Sequence, residues 1–164
     1  MGWKQVFENL VGRVERACAE VYGDRLVSLA VFGSVARGTM GPESDLDLLV
    51  VAEPLPRGRM ARVREFERVD ALCEPALREA EAQGVRTTLS PVIKTPSEVE
   101  LGSPLFLDMT IEVRILRDRE GFLARYLRGL AERLDRLGAR RIRMGGGYYW
   151  LLKPDLKPGE EVRL

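Results

Sequence analysis

Val31-Phe32-Gly33-Ser34-Val35-Ala36-Arg37-Gly38, followed by Glu43-Ser44-Asp45-Leu46-Asp47-Leu48-Leu49-Val50, is the stretch on which the reading of this chain turns. The apolar run 26–32 predicts a strand stopped by Gly33-Ser34, and 45–51 predicts a second strand that ends at Glu53-Pro54. Gly33, Gly38, Gly41 and Pro42 punctuate the connection between them. A strand that runs into Gly-Ser and then a short helix offers unpaired backbone N–H groups, a hydroxyl and the positive end of a helix dipole, which together suit a phosphate chain. Asp45 and Asp47 stand at i and i+2 at the start of an apolar strand and so project from one face. Two carboxylates that close raise each other's pKa unless a positive charge lies between them. A divalent cation that prefers hard oxygen ligands, Mg²⁺ or Mn²⁺, is the natural occupant.

Working outward, Trp3, Val6, Phe7, Leu10, Val11, Val14, Cys18 and Val21 repeat at helical spacing, and Gly23 stands where a helix stop belongs. The spacing predicts a helix over 3–22. A second helix is expected over 58–83, with Pro75 placed to kink or split it. A third strand is expected over 85–93, at a sheet edge because of Pro91. Residues 96–101 read as a helical turn, and 104–117 mix helix and strand signals. Asp118 is placed as the N-cap of a last amphipathic helix that runs to Gly138. Alternating signals around one core give an α/β or α+β sandwich over residues 1–138, with a tail, 139–164, packed on or extending from the same domain. In that tail Arg140, Arg141 and Arg143 lie beside Gly145-Gly146-Gly147 and Tyr148-Tyr149-Trp150. They read either as a solvated helix end and flexible link with aromatics folded back on the core, or as a basic, stacking surface.

Composition narrows the chemistry. At 164 residues, 45% hydrophobic and 31% charged, the chain fits one ordinary globular domain. There is no histidine, which removes Ser-His-Asp triads and His metal ligation. Cys18 and Cys73 lie far apart among apolar residues and read as buried thiols. The net charge of +1 makes no global case for a nucleic-acid or membrane partner. No apolar run approaches the roughly 20 residues that span a bilayer, and the first residues lack a signal-peptide core, so a cytoplasmic location is expected. Arg exceeds Lys and the sole Asn is Asn9, a composition that fits a thermophile.

Gly33-Ser34 with Ala36-Arg37-Gly38, then Ser44-Asp45-Leu46-Asp47-Leu48, resembles the signature of the DNA polymerase β-like nucleotidyltransferase superfamily, and of its stand-alone minimal members in particular. Tyr149-Trp150-Leu151-Leu152-Lys153-Pro154 and Pro158-Gly159-Glu160 are similar to the tail of stand-alone prokaryotic members. The resemblance implies a mixed β-sheet flanked by helices, the nucleotidyltransferase-like fold, with two metal ions gripping a nucleoside triphosphate. Gly33 and Ser34, with Arg37, are then the nucleotide-binding candidates, and Asp45 and Asp47 the metal-binding and catalytic ones. The implied reaction is attack of an acceptor hydroxyl, on a protein or small molecule, on the α-phosphate of an NTP such as ATP, with loss of pyrophosphate. In one respect the chain departs from the pattern. The superfamily carries a third carboxylate on a later strand, whereas Thr87-Thr88-Leu89-Ser90-Pro91-Val92-Ile93 contains no acid and its register puts Ser90 in that place. A hydroxyl is a poor metal ligand and a poor base, and Glu98, Glu100 and Asp108 are the acids left to reach in from elsewhere. The resemblance also implies an alternative, a protein that keeps the fold and works by contact, as an antitoxin that binds a HEPN-domain toxin. The length leaves no room for a separate helical substrate domain, which argues against a template-tracking polymerase and makes a partner protein or self-association the source of acceptor specificity.

Overall fold

The architecture was taken from a computed structural model, which describes residues 2–164. Helix α1 (Trp3–Tyr22) has the bounds that its periodicity predicts and buries Val6, Phe7, Leu10, Val11, Val14, Cys18 and Val21 along one stripe. Strand β1 (Leu26–Phe32) follows, then a helix of five residues, α2 (Gly33–Arg37), and strand β2 (Leu46–Ala52). Helix α3 (Arg59–Ala82) runs unbroken through Pro75, against the expected split. A proline forfeits only one helical hydrogen bond, and α3 is held along its length by burial of Phe66, Val69, Cys73 and Ala80.

Strand β3 (Leu89–Lys94) begins four residues later than the sequence suggests. The Val85 N–H is spent on the Ala80 carbonyl, 2.9 Å away, as α3 winds out, and the Arg86 N–H on the Pro42 carbonyl, 2.7 Å away, so neither can join the ladder. Helix α4 (Pro96–Leu101) occupies the expected turn and opens with a capping box, in which the Thr95 hydroxyl accepts from the Glu98 N–H and the Glu98 carboxylate accepts from the Thr95 N–H. The ambiguous stretch after it resolves into helix α5 (Leu105–Met109) and strand β4 (Arg114–Asp118). Short 3-10 turns, Gly23–Arg25 and Arg119–Gly121, precede β1 and α6, and helix α6 (Phe122–Leu137) is followed by a hairpin of β5 (Arg140–Met144) and β6 (Gly147–Leu151).

Four strands form one mixed sheet in the order β3-β2-β1-β4, with β1 antiparallel to β2 and β4 and β2 parallel to β3. Pro91 thus sits on an edge strand, as its missing N–H requires. Alternation along β2 sends Leu46, Leu48 and Val50 into the core under α1 and α3, and Leu49 and Val51 into a second core with Phe106, Leu123, Leu127 and Leu130. Helices therefore cover both faces, and Asp47 lies on the α5/α6 side. Asp118 does not occupy the N-cap position of α6, which is Gly121. Its carboxylate reaches the helix anyway, accepting from the Leu123 and Ala124 N–H groups at 2.8 and 2.9 Å, and takes a 2.7 Å bond from the fully buried Ser28 hydroxyl. One side chain at the end of β4 thereby satisfies a helix terminus and ties it to the central strand β1. None of the described helices is long and apolar enough to cross a membrane.

Candidate active site

The turn from β1 into α2 and the start of β2 are brought together by antiparallel pairing that sets Phe32 against Asp47. That pairing places Gly33 directly over the Asp47 carboxylate. Gly33 has φ of +70°, and a Cβ built there would lie 2.1 Å from Asp47 Oδ2, far inside any real contact. Both the backbone angle and the close approach demand glycine. The Asp47 carboxylate thus occupies the space that a side chain at position 33 would take, directly against the start of α2. Ser34, half-buried in the first turn of α2, has a hydroxyl with no partner among the described residues. The leading N–H groups of α2 have no intrahelical acceptor.

The two aspartates are unequal. Asp45 is exposed, one residue before β2, and accepts a 2.8 Å hydrogen bond from the Thr88 hydroxyl. Asp47 lies within β2 and is half-buried. Burial first, and the neighbouring charge of Asp45 second, push the Asp47 carboxyl above the usual carboxylate range, while Arg37 and a hydrogen bond from Ser90 pull it down. Burial is the larger of the two raising causes, and the like charge of Asp45 adds to it. Ser90 is the parallel-register partner of Asp47 on β3, which places a hydroxyl, not an acid, beside the pair.

None of the acids held in reserve fills that gap. Glu98 is held in the capping box and paired with Arg62 at 2.7 Å. Asp108 accepts from the Trp150 indole N–H at 3.0 Å and faces Arg141 at 3.4 Å, and Glu100 is exposed on α4. Among the described residues no cluster of three acids or cysteines is placed to hold a metal by itself. Two carboxylates with the oxygens of a bound triphosphate and water do suit a hard divalent ion, which commonly keeps several waters and takes only one or two protein carboxylates. The donor set therefore fits such an ion.

Arg37, exposed at the last turn of α2, reaches in two directions, since its charge lowers the pKa of both Asp47 and Glu112. Glu112 in turn holds Arg141 of β5 by two bonds of 2.5 and 2.6 Å, and the Arg141 guanidinium lies 4.1 Å from the Tyr148 ring centroid. The sequence offered either a solvated helix end and flexible link, with aromatics folded back on the core, or a basic, stacking surface here. The structure has a paired hairpin, with Arg141 opposite Trp150 and its guanidinium largely withdrawn from solvent. Thr88 and Glu112 are the neighbours that sequence reasoning passed over, and Arg141, read in one of those alternatives as part of a basic, stacking surface, was not linked to Glu112. Thr88 was within reach of the register argument that found Ser90, while the Glu112–Arg141 pair spans 29 residues and left no local signal.

A glycine turn locked onto a strand-borne carboxylate pair, on a mixed sheet covered by helices on both faces, defines a phosphoryl-transfer scaffold. The chain belongs to the nucleotidyltransferase domain family, whose model matches residues 11–100. A curated relative from Methanocaldococcus jannaschii, which carries the provisional name of protein adenylyltransferase, is 30% identical over 136 residues, 82% of this chain and 87% of its own. Among solved structures, a toxin–antitoxin crystallised with AMP-PNP is similar over 80% of this chain and 92% of its own, at 17% identity and a TM-score of 0.44. A Sulfolobus solfataricus protein described as a nucleotidyltransferase is similar over 73% and 92%, at 17% identity and a TM-score of 0.41.

Proposed function

We propose that this protein transfers a nucleoside monophosphate, AMP in the first instance, from a nucleoside triphosphate to a hydroxyl group on a protein, releasing pyrophosphate. The observation that carries the reading is the close approach of the Asp47 carboxylate to Gly33, which sets the turn proposed to take phosphate beside the carboxylate proposed to take metal. The name of the archaeal relative supports AMP and a protein acceptor.

In this reading Gly33 and Ser34 hold the triphosphate through backbone N–H groups and the free hydroxyl, and Arg37 neutralises phosphate charge at the rim. Asp45 and Asp47 would hold divalent cations, Mg²⁺ or Mn²⁺, which when bound neutralise charge that builds on the phosphates. The acceptor oxygen forms a bond to the α-phosphorus as the bond from that phosphorus to the bridging oxygen of pyrophosphate breaks. Its proton passes to water, because Ser90 supplies no base. The lost contribution of a positioned base is about 10²–10⁴-fold, so slow turnover is expected. The resemblance to minimal nucleotidyltransferases extends this reading to a HEPN-type toxin as the protein acceptor, modified or masked by this chain in an antitoxin role.

Calorimetric titration of ATP with and without Mg²⁺, on the wild-type chain and on an Asp45→Asn/Asp47→Asn double variant, tests the proposal. Metal-dependent binding that the double variant abolishes supports it. Labelled ATP, GTP, CTP and UTP then identify the base and the acceptor. Absence of binding by any of the four nucleotides sinks the enzyme reading and leaves a fold that acts by contact.

A further inference from the structure

A cleft of about 730 Å³ lies beside the aspartates, between α3 and the outer edge of β3. Asp45 and Thr88 line it at the start of β3, Arg59 and Arg62 line it from α3, and Lys94 lines it at the end of the strand. Its volume falls in the range of ligand clefts, and its long wall is the free edge of a sheet.

The ladder fixes what that edge offers. Leu46 donates its N–H to the Thr88 carbonyl at 3.0 Å, and Leu46 is in register with Leu89. Parallel pairing then turns the peptide groups of Ser90, Val92 and Lys94 toward β2 and those of Leu89, Pro91 and Ile93 outward. Proline thus occupies an outward position, where it costs the sheet no hydrogen bond. The N–H and C=O groups of Leu89 and Ile93 and the Pro91 carbonyl face the cleft without a backbone or side-chain partner among the described residues. Charge is uneven along it. Arg62 is spent on Glu98, at 2.7 Å, and on the Pro56 carbonyl, at 2.8 Å. Arg59 and Lys94 make no ion pair among the described residues, so the end of the cleft away from Asp45 is positive.

We infer that this cleft is the acceptor groove, and that it takes an extended peptide as a fifth strand on β3, with the modified hydroxyl beside Asp45 and Ser90 and an acidic side chain against Arg59 and Lys94. The inference rests on the transferase reading for the role of the hydroxyl, but the groove itself does not depend on it. The span from Ser90 to Lys94 is four residues, about 13 Å at strand rise, so the acidic residue stands four positions from the hydroxyl residue. Main-chain bonds give such a mode its affinity and alternate side chains its selectivity. A folded helix or a free small molecule would leave the outward peptide groups unpaired.

The test is amide hydrogen exchange on the full chain, without nucleotide or metal. The probes are a short Thr/Val-rich peptide carrying a Tyr and, four residues on, a Glu, and its twin with Lys in place of the Glu. The Glu peptide is expected to slow exchange at the Leu89 and Ile93 amides by roughly tenfold or more, and to leave the Val92 and Lys94 amides, already bonded within the sheet, unchanged. Lys94→Glu, and independently Arg59→Glu, each reverse the preference toward the Lys peptide. No slowing at Leu89 and Ile93 by either peptide, or equal binding of a peptide N-methylated on alternate residues, overturns the groove. A parallel ATP titration separates the two readings: peptide protection without ATP binding removes the transferase reading alone, and ATP binding without peptide protection removes the groove alone.

Discussion

Replacing Gly33 by alanine separates the backbone requirement of the turn from its contact with Asp47. At φ of +70° an alanine pays the left-handed penalty, about 1–2 kcal/mol. Gly138, which ends α6 at φ of +71°, has only the Pro154 ring at 3.9 Å, so Gly138→Ala carries a similar backbone cost with ordinary packing. For a domain of this size that cost lowers Tm by about 2–8 °C, and both variants should show it in a thermal melt. Only Gly33→Ala meets an obstacle, since its new methyl would stand 2.1 Å from Asp47 Oδ2. Either Asp47 rotates off or α2 withdraws, and either movement separates the carboxylate from the turn proposed to hold phosphate. Metal-dependent ATP binding, measured by calorimetry, should therefore collapse in Gly33→Ala and survive in Gly138→Ala. Equal ATP affinity in the wild type and Gly33→Ala, alongside matching losses of Tm in the two variants, would refute the claim that ATP binding depends on the turn and the carboxylate standing together.

Ser90→Asp, which restores an acid opposite Asp47, should raise turnover by about 10²-fold or more. It should also melt lower than the wild type in EDTA and regain that loss in Mg²⁺, whereas unchanged turnover would mean that the register does not bring the side chain to the reacting atoms. Asp118→Ala strips two N–H groups at the head of α6 of their acceptor and leaves the buried Ser28 hydroxyl unpaired, for a loss of about 2–4 kcal/mol in urea unfolding, more than Ser28→Ala alone loses. Glu112→Gln should free the β5–β6 hairpin, seen as faster amide exchange across it at neutral pH. Its bonds to Arg141 hold the Glu112 carboxyl below its ordinary value of 4.5, so the pair's contribution is present above that pH and fades as pH falls through the lowered value; hairpin protection that is flat down to pH 3 would contradict this.

What the sequence disclosed and what it hid follow from the range of the interactions involved. The bounds of α1 and β1 were legible because burial imposes a period that each segment carries within itself. Gly33, Ser34, Asp45 and Asp47 were legible as a group because turn chemistry and i,i+2 alternation are local rules. Ser90 was found by setting its strand against the superfamily's third-carboxylate pattern, and the observed pairing of Asp47 with Ser90 agrees with that register. Pro75 misled because propensity describes a helix alone, whereas the packing of α3 against the sheet outweighs one missing bond. Asp118 caps the start of α6 as the sequence suggests, but from outside that helix, across the 3-10 turn Arg119–Gly121 of which it is the N-cap. The hairpin escaped altogether, because Arg140-Arg141-Ile142-Arg143 has little strand character on its own and is ordered by contacts with Glu112 and Asp108, far away in the chain.

The contrast between the two aspartates points to a division of labour that the paired motif conceals. Asp47 is set in the sheet, shielded, pressed against Gly33 and held by Ser90, so its position is determined by the fold before anything binds. Asp45 is exposed, steadied by Thr88 alone, and it lines the cleft along β3 as well as flanking the turn. On the proposed reading, Asp47 faces the triphosphate and Asp45 stands at the boundary between donor and acceptor. The register that pairs β2 with β3 sets the line of the proposed groove relative to the carboxylates. If both reactants are held along this one strand pairing, as proposed, their alignment does not depend on loops, and alignment is a part of catalysis that does not require a positioned base.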